Sequence, residues 1–182
     1  PVYPALARQL VQDYGITKGV AVDLGGGEGS LAVELAGITD LTVYSVDINP
    51  AAVRLCHMMA DQSRLTGRVL AIEADATDLP LRDGLADLVV SRNSLFQWPD
   101  PVAGLRDAYR ILKPGGVAYM GGGFSRLLDA GVLRRLVEWS ENKLRQKPDS
   151  MLNLPQDLAD RLHASGIAQV RIIEGPSRFD WW

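Results

Sequence analysis

The sequence contains a single cysteine, Cys56. A lone thiol closes no internal disulfide and supplies no CxxC pair for metal or redox chemistry, and it fits a reducing compartment such as the cytoplasm. No apolar run reaches the ~18 residues that a membrane-spanning helix needs. No secretory leader is visible, and repeats and low-complexity segments are absent. Basic charge is not in excess: 19 Lys and Arg stand against 22 Asp and Glu, for a formal net charge of −3. That balance argues against a broad grip on nucleic acid, where phosphate contacts dominate affinity. It favours a small-molecule or protein partner. Only two histidines are present. His57 shares a helical face with Arg54 and Asp61 and reads as a solvated residue. His163 reads as a late helix residue near the dipole. Neither reads as a general base. Cys56, among Ala52, Leu55 and Met59, reads as a core thiol. No cluster with metal-ligand spacing is seen.

What is present is the balance of one ordinary domain, spanning residues 1–182, with 47% hydrophobic and 23% charged residues. Elements of two periods alternate, the mark of βαβ architecture. Helices are expected over Pro4–Tyr14, Glu28–Ala36, Pro50–Leu65, Pro101–Leu112, Arg126–Gln146 and Pro155–Ala164. Strands are expected over Gly19–Leu24, Leu41–Val46, Arg68–Ile72, Leu85–Ser91, Gly116–Met120 and Ile167–Glu174, with a short seventh over Arg178–Trp182. The strands read as apolar runs, which suits a parallel sheet covered on both faces. Ligands of such sheets bind beyond the carboxyl ends of the strands, where the strand order reverses.

The informative motifs fall at those ends. Asp23-Leu24-Gly25-Gly26-Gly27-Glu28-Gly29 leaves strand 1 and opens a helix. A dinucleotide fingerprint needs GxGxxG to seat a pyrophosphate. Here the glycines are spaced GxGxG, and Ser30 stands where the third would fall. Asp23, two residues before the first glycine, suits a ligand bearing an ammonium or hydroxyls, or else holds the loop through backbone N–H groups. Asp47 ends strand 2, where a carboxylate can accept from vicinal ribose hydroxyls or cap the next helix. Asp75 ends strand 3, placed to accept from an adenine amino group or to shape a turn. Acids ending three successive strands say more than a glycine loop alone.

With these motifs the chain resembles the class I S-adenosylmethionine-dependent methyltransferases over about Gly19 to Gly123. DLGGGEG is similar to that family's DxGxGxG loop, SVDIN to its second acidic motif, EADATDLPLRDGLADLVVS to the stretch joining strands 3 and 4, and LKPGG to the turn before strand 5. Asp87 opens strand 4. The resemblance implies an α/β, Rossmann-like, doubly wound and mostly parallel sheet of seven strands in the order 3-2-1-4-5-7-6, with strand 7 short or truncated. It implies S-adenosylmethionine as cofactor and S-adenosylhomocysteine as product. The cofactor residues implied are Asp23, Gly25, Gly26, Gly27, Asp47, Ile48, Asp75, Ala76 and Ser91.

The acceptor, expected to be a small molecule, lies against the segment after strand 4, SRNSLFQW. Phe96 and Trp98 are candidates to wall it and Asn93 and Ser94 to orient it, against plain core packing and a local turn. The (D/N)PPY pattern of nucleobase and glutamine N-methylating enzymes is missing there, as is a cysteine of the cytosine C5 type. No catalytic residue is assigned and no oligomeric state is read. The rivals are a module that binds the nucleoside without turnover, an NAD-dependent oxidoreductase and an aminopropyl transferase. GxGxG spacing opposes the oxidoreductase, and the lack of an acidic polyamine pocket in SRNSLFQW opposes the transferase.

Overall fold

The computed structural model describes residues 1–145, 154–167, 169–171 and 173. Five strands form its centre: β1 (Lys18–Leu24), β2 (Asp40–Asp47), β3 (Val69–Glu73), β4 (Ala86–Arg92) and β5 (Leu112–Gly121). They are parallel, in the order β3-β2-β1-β4-β5. The order therefore reverses between β1 and β4. Helices α1 (Val2–Tyr14), α2 (Ser30–Ile38), α3 (Pro50–Gln62), α4 (Pro101–Ile111), α5 (Ala130–Arg145) and α6 (Leu154–Ser165) complete the described elements.

Strand residues alternate between two cores. Ala21, Val43, Leu88 and Val90 pack with Leu6 and Leu10 of α1, Leu31 and Leu35 of α2, and Cys56 of α3. Val22, Leu24, Val46 and Val89 pack on the other face with Leu105, Ala108 and Ile111 of α4. Each fully buried Leu or Val is worth about 1.5–3 kcal/mol, so these layers outweigh any surface pair. At the amino edge of the sheet, Asp87 accepts from Val20 N at 2.8 Å and pairs with Lys113 Nζ at 2.7 Å, tying β1, β4 and β5 together. Helix α1 is fixed to β5 and to the segment after it. Gln9 Nε2 donates to Tyr119 Oη at 3.2 Å, Arg126 N donates to Gln9 Oε1 at 2.9 Å, and Ser125 Oγ donates to Ala5 O at 3.1 Å.

Several boundaries differ from the sequence reading, for local reasons. Helix α2 starts at Ser30, not Glu28, because Gly27 and Gly29 have φ of 57° and 84°. Helix α3 ends at Gln62 rather than Leu65, and Arg64 follows at φ 58°. Helix α5 starts at Ala130 rather than Arg126, where the Asp129 carboxylate accepts from Gly131 N and Val132 N. Strand β5 already begins at Leu112, which pairs with Ala86 across a register irregularity. The stretch expected as a sixth strand is irregular at each of its described residues, 167, 169–171 and 173. The proposed seventh, Arg178–Trp182, lies outside the described residues. Five strands, not seven, are thus seen among the described residues.

Candidate functional site

The carboxyl ends of β1 to β4 converge on one cleft of about 150 Å³. Gly25 lines it from the loop after β1, Asp47 and Ile48 from the end of β2, Ala74 to Ala76 from the end of β3, and Asn93, Ser94, Gln97, Trp98 and Pro99 from the segment after β4. The cleft therefore straddles the point of strand reversal.

The glycine loop is shaped by hydrogen bonds to β2. Gly25 N and Gly26 N both donate to Val46 O, at 2.8 and 3.1 Å, and Gly27 N donates to Asp47 Oδ2 at 2.9 Å. Gly25 has φ 67°, and a Cβ there would stand 1.8 Å from Ser94 Oγ. Only glycine lets the β1 loop and the segment after β4 meet so closely. Ser94 is itself buried and accepts from Trp98 Nε1 at 2.8 Å.

Asp47 takes one backbone N–H on each oxygen, Gly27 N on Oδ2 and Asn49 N on Oδ1, both at 2.9 Å. A carboxylate has roughly four acceptor positions, so two remain for a diol. Beside it Ile48 is 64% exposed. A large apolar side chain held open at a polar cleft is what a flat, partly apolar ligand would cover. Asp75 Oδ1 is engaged by Thr77 N and Thr77 Oγ1, at 2.8 and 2.9 Å, so one of its oxygens shapes a turn while the residue still lines the cleft. Ala76 is buried in the core and borders the cleft.

Asp23 sits elsewhere. It is 2% exposed, under the glycine loop, and does not line the cleft. A Cβ on Gly26 would lie 2.2 Å from Ser45 Oγ and 3.1 Å from Asp23 Oδ2, so the loop rests directly on both groups. A backbone N–H of Ala32, in the first turn of α2, supports the Asp23 carboxylate, while Oδ2 has no partner. Burial, reinforced by the charge of Asp47, raises its pKa from 3.8 to about 7. Asp23 thus lies beneath the loop and does not line the cleft. Cys56, 1% exposed, has its thiol pushed up by burial, as a core thiol should.

Of the other expected residues, Gly26 and Gly27 shape the loop behind the cleft. Ser91 is 1% exposed, inside β4, and does not reach the cleft. Asn93, at φ 58°, and Trp98 both line the cleft, although Trp98 packs chiefly in the core. The Phe96 side chain lies outside the described residues. Ser94, a candidate to orient the acceptor, also lines the cleft, whereas sequence reasoning missed Gln97. The GxG spacing signals a close approach but not the residue that makes it. His57 is exposed on α3, away from the cleft. Among the described residues no group of three or more His, Cys, Asp or Glu could hold a metal, and no helix is long and apolar enough to cross a membrane. A second groove of about 200 Å³, against α4 and β5, is lined mostly by apolar residues such as Leu105, Leu112 and Ala118, and by none of the acids above.

Fold and cleft define a doubly wound α/β domain with a cleft at its switch point. Residues 22–120 match the model of a methyltransferase domain family. The chain belongs to that family and is a member of the class I S-adenosylmethionine-dependent methyltransferases. It is 40% identical over 98 residues to 2-methyl-6-phytyl-1,4-hydroquinone methyltransferase 1 of Oryza sativa subsp. japonica, covering 53% of this chain and 28% of that protein. It is 34% identical over 112 residues to the ubiquinone/menaquinone biosynthesis C-methyltransferase UbiE of Psychromonas ingrahamii, covering 60% of this chain and 45% of that one. The chain thus matches less than half the length of these curated relatives. A crystal structure titled as a putative S-adenosyl-L-methionine-dependent methyltransferase from Methanococcus maripaludis superposes with a TM-score of 0.86 and 29% identity, covering 100% of this chain and 83% of that one.

Proposed function

We propose that the chain binds S-adenosylmethionine in the cleft at the ends of β1 to β4 and methylates a small-molecule acceptor, leaving S-adenosylhomocysteine. The observation that carries this reading is the convergence on one cleft of Asp47, with acceptor positions to spare, the open Ile48 face and the Asp75–Ala76 edge. In this reading Asp47 holds the ribose hydroxyls, Ile48 and Ala76 cover the adenine faces, and Asp75 meets its amino edge. Gly25, Gly26 and Gly27 set the loop, and Asp23 supports it from below. Ser91, buried in β4, does not line the cleft. Bound there, the cofactor supplies an activated methyl on a sulfonium. The protein's contribution is alignment, an effect worth roughly 7–11 kcal/mol in well-oriented systems. Asn93 and Trp98 face the acceptor, with Phe96 a further candidate. No histidine or cysteine lines the cleft among the described residues, which fits an acceptor that arrives deprotonated.

Two of the similar proteins are named for hydroquinone and quinone methylation, which supports a small-molecule acceptor. The acidic balance supports one over nucleic acid, and the single buried thiol fits a reducing, cytoplasmic setting. We propose one domain over residues 1–182. The order 3-2-1-4-5-7-6 would need two further strands beside β5, an edge of the sheet among the described residues. Calorimetric titration with S-adenosylmethionine, S-adenosylhomocysteine and NAD tests the reading. Saturable binding of the first two and none of NAD is expected; no binding of either adenosyl compound sinks it. Binding without any methylated product from metabolite extracts would leave a non-catalytic module.

A further inference from the structure

The carboxyl end of β4 holds a cation in an uncommon setting. Arg92 closes the strand opposite Gly121 of β5, one residue before Asn93, which lines the cleft. Its guanidinium carbon stands 5.4 Å from the ring centroid of Tyr3, on α1, and 5.5 Å from that of Phe124, in the segment after β5. Three segments far apart in sequence meet on one charge. Arg92 Nε is shut off from solvent and has no hydrogen-bond partner. With the Asn93 amide turned to satisfy both its ends, its nitrogen donates to Gly122 O at 3.1 Å and its oxygen accepts from Arg92 Nη1 at 3.1 Å. The ion pairs of the described residues engage Arg110, Lys113 and Arg126, and none engages Arg92.

Aromatic faces stabilise a cation, but they accept none of the N–H bonds of a guanidinium fork. A charge partly withdrawn from water without a counter-ion is costly, and the partner that matches this fork is a planar anion. Asp47 and Asp75 make the nucleoside side of the cleft acidic, so an anionic acceptor would be repelled there. The segment after β4 is where it would be received. We propose that Arg92, braced by Tyr3 and Phe124 and joined to the cleft through Asn93, binds a carboxylate of the acceptor. The acceptor is then a small organic acid. This rests on the methyl-transfer reading and names the acceptor class within it.

The test uses the full chain saturated with S-adenosylhomocysteine and two isosteric probes, benzoate and benzamide, titrated by calorimetry or ligand-observed NMR. Benzoate should bind at least about tenfold more tightly than benzamide. Arg92→Gln should abolish that preference, and Arg92→Lys should weaken it, since a point charge lacks the fork. Affinity for S-adenosylhomocysteine should be the same in all three proteins. A merely structural role for Arg92 would lower the melting temperature without moving the benzoate-to-benzamide ratio. If Arg92→Gln does not fold, Arg92→Lys decides: an undiminished preference overturns the proposal. Equal binding of the two probes to the wild type, or no saturable benzoate binding at tens of millimolar, overturns it as well. If S-adenosylhomocysteine itself fails to bind the wild type, the methyl-transfer reading falls and takes this inference with it. If it binds and the anion preference is missing, this inference alone falls.

Discussion

Asp23 and Asp47 end neighbouring strands with the same side chain, and burial divides their work. Asp47 keeps contact with the cleft, whereas Asp23 is 2% exposed under the glycine loop. In the folded chain burial holds the Asp23 proton up to about pH 7, against an ordinary value of 3.8. Between those values the native state binds more protons than the unfolded chain, so stability falls as pH rises. The contribution is fully present below the unfolded value and is lost through about pH 7. Asp23→Asn should flatten that slope in urea unfolding curves taken from pH 4 to 8, where the wild type should lose on the order of a few kcal/mol. Equal slopes would show that the proton is not held. At Asp47, substitution by Ala should weaken S-adenosylhomocysteine binding by about 1.5–3 kcal/mol, the scale of a hydrogen bond to a charged group. An unchanged dissociation constant in calorimetry would remove the ribose assignment. Gly25→Ala places a methyl 1.8 Å from Ser94 Oγ at a φ of 67°. It should abolish measurable binding even where a circular dichroism spectrum shows the fold retained.

At the scale of elements, the site is held by ties at both edges of the sheet. At the amino edge, burial pushes the Asp87 carboxyl up, but the hydrogen bond from Lys113 and the N–H of Val20 outweigh it and hold the pKa below the usual range. Stability from a depressed carboxyl is present above the unfolded pKa and is lost as pH falls through the folded one. Asp87→Ala removes the partner of two donors and should cost about 1–3 kcal/mol in denaturant unfolding, with its largest deficit near neutral pH and a smaller one in acid. A uniform deficit would point to packing rather than charge. The loop between β3 and β4 is tied in the same way. Leu79 N donates to Asp107 Oδ2 at 2.7 Å, and Arg110 bridges Asp107, Asp83 and Leu81 O. That network holds the stretch leading away from Asp75 and Ala76, so this edge of the cleft is set from α4, an element distant in sequence.

For the whole molecule, a ligand that binds only the native state adds stability by mass action. S-adenosylhomocysteine at about a hundred times its dissociation constant should add about 2.7 kcal/mol, a rise of roughly 5–10 °C in melting temperature for a chain of this size. NAD should leave the melting curve where it was. The same rise with NAD would place the protein among dinucleotide binders, against the GxGxG spacing.

Residue types in order along the chain determined the class of fold and the acids at the strand ends. Alternating periods, the DLGGGEG turn, Asp47 after β2 and Asp75 after β3 are local signals, written in neighbouring residues. Five of the strands, the parallel sheet and the place of the cleft follow from them. Tertiary structure alone decided what depends on partners far away in sequence. Asp23 is buried because the loop at Gly26 closes over it, Ser94 packs directly against Gly25, and Arg92 found its cage between Tyr3 and Phe124. A sequence states which groups exist at each strand end; packing settles which of them water, a ligand or the core will reach.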